Sequence, residues 1–284
     1  MPQRPSSVCA VNDAAPSGGA PLGRAPLDGV TEMLYLDDAY AASMDAHVVA
    51  VRADDGAVAL DRTVFYATGG GQPHDTGTLR VDGADGAGGP EFAVTDVRKH
   101  GELLWHTLAP AGGSGDGSGD PVGPAVGDAV VGTVDWPRRH ALMRTHTSLH
   151  ILCGVIWNEW GVSVTGGNME PLSARMDFEF GPLPENFAAH VTELVNDEIA
   201  ADRPIEISYL DRDVAVVDDD LIRTKVNLIP EFVKRVRVVD IVGLDKQADG
   251  GTHVASTSEV GRFEITKTES KGKGNKRVRL VIHD

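Results

Sequence analysis

The chain has 284 residues, 41% of them hydrophobic and 24% charged, with 26 Lys and Arg against 42 Asp and Glu and a net charge of −16. That length predicts one large or two modest domains with a real core, and no apolar run approaches the ~20 residues of a membrane span or matches a signal-peptide core. Cys9 and Cys153 cannot build a disulfide framework, so no disulfide partner is expected and the chain reads as cytoplasmic; the acidic balance argues against a general coater of polyanions but not against a local basic site.

Residues 1–30 hold five Pro, four Gly, three Ser and five Ala, a composition that predicts a disordered tail. From 31 to 136 the pattern is short β-type runs with turn punctuation: His47–Arg52, Val58–Leu60, Thr63–Tyr66, Thr78–Val81, Phe92–Val97 and Ala129–Val134. Strands at this spacing predict a small barrel or sandwich. Asp82–Pro90 and Ala109–Asp128 interrupt it as low-complexity loops. After Asp135-Trp136-Pro137, apolar residues and histidines from Leu142 to Trp157 recur at helical spacing, with Gly161 beyond the end, and predict an amphipathic helix. A second helix is expected over Pro184–Ala201, then strands at Ile205–Leu210, Val214–Val217, Val233–Ile241, Arg262–Thr268 and Arg277–Ile282. The class is α+β: a β domain over 31–136 and an α/β sandwich over 137–284.

Three short segments carry candidate chemistry. His146 and His150, four apart on a helix, project from one face and are able to share a metal ion. Asp249-Gly250-Gly251-Thr252-His253 makes a tight turn that brings its acid and its histidine towards one point. Gly69-Gly70-Gly71-Gln72-Pro73 allows close backbone approach to a ligand and exposes N–H groups to an anion. Each has a bland reading alone: a partly buried helix face, a capped Gly-Gly turn, a flexible loop. The two ligand pairs together give three histidines and one aspartate, whereas a hydrolytic zinc keeps one of its positions open. Cys153 lies about 10 Å along the helix axis from His146 and reads as core filler. The last 23 residues, Arg262–Asp284, hold seven Lys and Arg and three acids, the only dense basic segment.

Arg62–Leu79, Arg144–Leu152, Asp245–Gly261 and the Lys-Gly tail Lys267–Leu280, in this order, resemble the stand-alone alanyl-tRNA editing proteins (AlaX type) and the related editing domain of alanyl-tRNA synthetase. The resemblance implies an N-terminal small β-barrel followed by an α/β-sandwich editing domain of the kind shared by threonyl- and alanyl-tRNA synthetases. It also implies one zinc ion per chain on His146, His150, Asp249 and His253, and an ATP-independent deacylase serving translation fidelity. The substrate would be the acceptor end of tRNA(Ala) wrongly charged with serine or glycine.

One position departs from the pattern: Asp249 stands where the family carries a cysteine. A carboxylate oxygen is a harder donor than a thiolate, so zinc affinity is expected to fall and selectivity to move towards other divalent ions. Within this frame Thr165, Gln72 and Thr252 are expected to contact a seryl side chain. The Gly69, Gly70 and Gly71 amides would meet the developing oxyanion or the RNA, and Lys267, Lys271, Lys273, Lys276, Arg277 and Arg279 the phosphates. Two alternatives stay open at this point: a non-catalytic tRNA-binding module with a degenerate metal site, and a zinc hydrolase of small molecules.

Overall fold

A computed structural model describes residues 29–82, 88–110, 123–215, 234–272 and 274–284. Most of the expected N-terminal tail, the centres of both low-complexity loops, the end of Val214–Val217 and Lys273 lie outside the described residues.

Two strands, β1 (Glu32–Met33) and β4 (Arg62–Thr63), pair in parallel beside a closed antiparallel barrel. The barrel runs in the order β2 (Ser43–Val51), β3 (Val58–Leu60), β7 (Leu103–Pro110), β6 (Glu91–His100), β5 (Gly77–Val81) and β8 (Ala129–Val134), which returns to β2. Alternation drives it: Met44, Ala46 and Val48 of β2 point inward between exposed neighbours and join Leu60, Leu79, Val97 and Leu104 in one core. Gly132 of β8 allows close packing, since a Cβ there would sit 2.7 Å from Met44 and 2.9 Å from Phe65. The expected strand Thr63–Tyr66 is a strand only to Thr63, and Val64–Ala67 continue as buried irregular chain leading to the glycine loop.

Helix α1 (Trp136–Trp160) follows the barrel directly. Asp135 caps it by accepting from the Arg138 amide, Pro137 occupies its first turn, and Gly161 ends it at φ 62°, all three as the sequence signals indicate. The helix is not amphipathic, however: every residue from Thr145 to Ile156 is buried. Its polar side is covered because the small hydroxyls there find partners, Thr145 and Ser148 donating to the carbonyls of Ala141 and Thr145.

Strands β9 (Val164–Glu170) and β10 (Ser173–Phe178), both absent from the sequence reading, join β14 (Arg262–Ser270) and β15 (Lys276–His283) in a four-stranded antiparallel sheet ordered β14-β15-β10-β9. Helix α2 (Phe187–Ala200) buries Phe187, Val191, Val195 and Ile199 in the core that this sheet shares with α1. A second sheet is built from β11 (Ile205–Asp211), β12 (Arg235–Ile241) and β13 (Asp245–Ala248). The expected strand at Val214 is instead the end of a short helix, α3 (Arg212–Ala215). Strand content dominates, with a barrel and a helix-on-sheet unit meeting along α1.

Candidate metal centre

Helix α1 places His146 and His150 one turn apart, with ring centroids 5.1 Å from each other. The loop after β13 folds back over them, so the His253 ring lies 4.4 Å from that of His146 and 4.7 Å from that of His150. Asp249 closes the group, its Oδ2 3.1 Å from His253 Nε2 and its Oδ1 3.7 Å from His146 Nε2. One donor atom from each of the four side chains lies within 4.8 Å of all the others. Gly251 makes this approach possible: a Cβ there would fall 2.3 Å from the His146 ring. Its amide donates to Asp249 Oδ2 at 2.6 Å and fixes the carboxylate.

The outer contacts set the ring orientations. His146 Nδ1 donates to Gln72 Oε1 at 3.0 Å, and the same oxygen accepts from the Thr252 amide while Gln72 Nε2 donates to Thr252 Oγ1. Thr147 Oγ1 holds His253 Nδ1 at 3.1 Å. Asp245 Oδ2 stands 3.6 Å from His150 Nδ1, an ion-pair neighbour just beyond hydrogen-bond length. With Nδ1 of each ring turned to an outer neighbour, Nε2 is the atom left for the centre, the arrangement that metal-binding histidines adopt.

Burial pushes His146 down to about 4, against the pull of Asp249. Burial and the neighbouring His146 hold His253 well below its ordinary range. For His150 burial acts downward too, but the carboxylates of Asp245 and Asp249 outweigh it and raise the group. Asp249 is pushed up by burial and still held well below the usual carboxylate range by His146, His253 and His150. His146 and His253, held neutral, and the ionised Asp249 offer lone pairs, and a bound divalent cation would displace the proton that the carboxylates favour on His150, so this set fits a cation of the zinc type.

The centre lies at the floor of a cleft of about 870 Å³. Its walls come from the barrel side (Tyr66, Gly69–Gly71), from α1 (Leu149, Cys153), from β9 and from the edge of β12. Gly70 and Gly71 adopt φ of +56° and +87°, which favours glycine, and Gly71 packs against β9, where its carbonyl accepts from the Met169 amide. Cys153 faces the same cleft, with its Sγ 3.4 Å from Met176 Sδ.

Three expected substrate contacts are placed differently by the structure. Gln72 and Thr252 are wholly buried beneath the histidines and bonded to each other, so they orient His146 and do not line the cleft. Thr165 is exposed on β9 and donates to Asn275 Oδ1 at 3.1 Å, while its neighbours Val164 and Gly166 line the cleft. A bulge explains this, because the β9–β10 register shifts between Val164 and Gly166 and leaves Thr165 as the extra, unpaired residue of the strand. The basic tail is the β14–β15 hairpin, whose strands cover the expected Arg262–Thr268 and Arg277–Ile282, and most of its cations have partners. Lys267 and Arg279 pair with Glu269, Arg277 pairs with Asp177, and Lys276 donates to Ser270. Lys271 is exposed near the hairpin tip.

Sequence reasoning missed Thr147, Asp245 and Arg237. Arg237 donates to the carbonyls of Leu36 and Asp249 and so pins the ligand loop to the barrel side. The one signal for it was an arginine flanked by valines within a strand.

Residues 236–279 match the family described as threonyl and alanyl tRNA synthetase second additional domain, and residues 38–138 match that described as tRNA synthetases class II (A). The fold is that of a synthetase-related editing domain. An alanyl-tRNA editing protein AlaX-M of Methanosarcina barkeri is 37% identical over 255 residues, covering 90% of this chain and 100% of that protein. Another, of Saccharolobus solfataricus, is 35% identical over 89% of this chain and 99% of that protein. The alanine–tRNA ligase of Hyperthermus butylicus is 34% identical over 88% of this chain but only 25% of its own length. The chain belongs to the alanyl-tRNA editing protein family, as Arg62–Leu79 and the other matching stretches indicated.

Proposed function

We propose that this protein hydrolyses the ester of mischarged tRNA(Ala), chiefly seryl-tRNA(Ala) and also glycyl-tRNA(Ala), in the cytoplasm. The observation that carries this reading is the convergence of three buried histidines and the half-buried Asp249 at a cleft large enough for an aminoacyl group and its terminal nucleoside. His146, His150, Asp249 and His253 would hold one zinc ion. When bound, that ion supplies positive charge and Lewis acidity beside the ester.

The chain's own groups do the rest. Water adds to the ester carbonyl carbon and gives up a proton, the amides of the Gly69–Gly71 loop receive the charge that develops on the carbonyl oxygen, and the bond to the ribose oxygen breaks as that oxygen takes up a proton, releasing the amino acid and a free ribose hydroxyl. Gln72 and Thr147 keep His146 and His253 in one orientation, so no reorganisation of the rings is needed on binding. Of the four donors Asp249 is the most accessible, its side chain 17% exposed, which puts it nearest the incoming ester. Serine must be told from alanine by a polar group that faces the cleft, because a synthetase pocket rejects an added hydroxyl only ~10²-fold. Asn168 and the backbone of Gly166–Gly167 meet that condition, and Thr165 does not. The hairpin around Lys271 is assigned the outer phosphates of the acceptor stem, since Asn275 at its tip touches β9 beside the cleft.

Deacylation of seryl-tRNA(Ala), with and without a chelator, is the test. Rapid hydrolysis that is lost on chelation and restored by a divalent ion is expected. Tight tRNA binding with no turnover in any metal would replace this reading with a non-catalytic binding module.

A further inference from the structure

The cleft differs in charge from the protein around it. The chain carries 26 Lys and Arg against 42 Asp and Glu. Among the residues lining the cleft the balance reverses: Lys99, Arg235 and Arg237 are cationic, and the one acid, Asp249, belongs to the metal centre. A cleft that concentrates cations in an acidic protein focuses an attractive potential for an anion.

The three cations are not equivalent. Arg237 is 8% exposed and spends its donors on the carbonyls of Leu36 and Asp249, so it is structural. Lys99, near the end of β6, and Arg235, the first residue of β12, are exposed, and neither makes an ion pair with another described residue. They reach the cleft from different parts of the fold, one from the barrel and one from the second sheet. Arg235 is also pre-positioned: its guanidinium lies 5.2 Å over the Tyr209 ring, and the Tyr209 hydroxyl is fixed by donating to Asp37 at 2.7 Å. Stacking holds the guanidinium plane while leaving its N–H edge for a phosphate. The cations of the C-terminal hairpin contrast with this, since Lys267, Arg277 and Arg279 are already paired with Glu269 and Asp177.

We infer that Lys99 and Arg235 form a clamp for the phosphodiesters of a single-stranded RNA 3′ end, at the wall of the cleft. This inference rests on the ester-hydrolase reading, with which it shares the cleft, and it names phosphate contacts within that cleft. The clamp delivers the terminal nucleoside to the metal centre while the protein as a whole repels RNA. That combination favours an RNA whose end is free to enter over one bound along its duplex.

The experiment measures binding of an uncharged RNA hairpin with a single-stranded 3′ overhang, by fluorescence anisotropy over a range of salt. The proteins compared are wild type, Lys99→Ala/Arg235→Ala and Lys267→Ala/Lys271→Ala. A parallel series measures KM and kcat on seryl-tRNA(Ala). Each phosphate contact to a single strand contributes ~0.7 to the slope of log affinity against log salt, so loss of both cleft cations makes the slope shallower by about 1.4. KM should rise with the loss of affinity. Arg235→Lys, which keeps the charge but not the stack, should recover the salt slope only partly. An unchanged slope in Lys99→Ala/Arg235→Ala overturns the clamp, and so does a fall in kcat with slope and KM intact, which would mean chemistry instead of binding. The anisotropy series needs no turnover. Normal RNA binding through these two residues with no hydrolysis would therefore sink the hydrolase reading and leave the clamp standing.

Discussion

Two buried polar knots lie two helical turns apart on α1, and both tie the helix to the segment that follows the glycine loop. In the first, Arg139 donates to both oxygens of Asp75 and to the carbonyls of Ala39 and Val64, while Asp75 also accepts from the Tyr66 amide. Both side chains are fully buried. In the second, His146 donates outward to Gln72, and its Nε2 faces His150, Asp249 and His253 across a common point. The first knot is complete in itself, since opposite charges and hydrogen-bond donors are matched. The second turns three imidazoles, two of them held neutral and His150 drawn towards its charged form, and one carboxylate to a common point that a divalent cation would complete. Burial and polarity do not separate a structural cluster from a functional one. The sign of what the inner atoms offer does.

Breaking the first knot should have the largest effect. Asp75→Ala leaves a buried guanidinium without its carboxylate, which typically costs about 3–5 kcal/mol. Urea unfolding should show this with metal present and with metal chelated alike. A loss below about 1 kcal/mol would mean that water reaches Arg139 and that the knot is not closed.

The second knot should respond the other way, to metal before anything else. A divalent ion at a hundred times its Kd stabilises a protein that binds it only when folded by about 2.7 kcal/mol. The wild type should show that stabilisation, and His146→Ala and His253→Ala should lose it together with stoichiometric metal. A full metal-induced rise in Tm in both variants would remove these side chains from the ligand set. Gln72→Leu is a finer probe, since it frees His146 Nδ1 without removing a ligand. Loss of such an outer partner typically lowers metal affinity 10–100-fold. Unchanged affinity would return Gln72 to the substrate side.

The candidate ligand cluster was legible in the sequence because each half of it is local. The His146/His150 pair needs only one helical turn, and the Asp249–His253 turn needs only the freedom of two glycines. The outer contacts were not legible, because Gln72 meets His146 across 74 positions and Thr252 across 180. No spacing rule spans such distances, so a buried positioning residue and a substrate contact look alike in sequence. The helix α1 was read as amphipathic for a related reason: Thr145, Thr147 and Ser148 count as polar, yet their hydroxyls are satisfied inside the fold. Strands β9 and β10 escaped notice because Gly166-Gly167 and the mixed Ser-Ala-Arg-Met-Asp run carry little β signal, and only the pairing of β10 with β15 and of β9 with β10 makes them strands.

Asp249→Cys sharpens the second knot without dismantling it. Replacing a carboxylate by a thiolate keeps the charge and softens the donor, which favours zinc over manganese. Competition between the two metals, read as metal content after dialysis against both, should shift towards zinc in the variant. An identical ratio would show that Asp249 does not contact the ion.

The smallest effect is expected at the residue that sequence spacing favoured most for choosing serine. Thr165 follows the histidine helix and precedes two glycines, so it looked placed to fold over the metal face. In the structure its hydroxyl donates to Asn275 of the β14–β15 hairpin, and the flanking residues Val164 and Gly166 are the ones that border the cleft. Thr165→Val removes one exposed hydrogen bond, and surface changes of this kind usually stay within about 0.5 kcal/mol. Stability, metal content and the ratio of seryl to alanyl hydrolysis should therefore all match the wild type. A buried polar group that recognised the seryl hydroxyl would behave differently, since leaving it unpaired costs about 1–3 kcal/mol, a factor of roughly ten to more than a hundred in selectivity. Running Thr165→Val beside Asn168→Ala makes the contrast internal to one strand. Loss of serine preference in the valine variant alone would mean that β9 turns its other face to the substrate when RNA is bound, and the cleft described here would then be the resting form of the site.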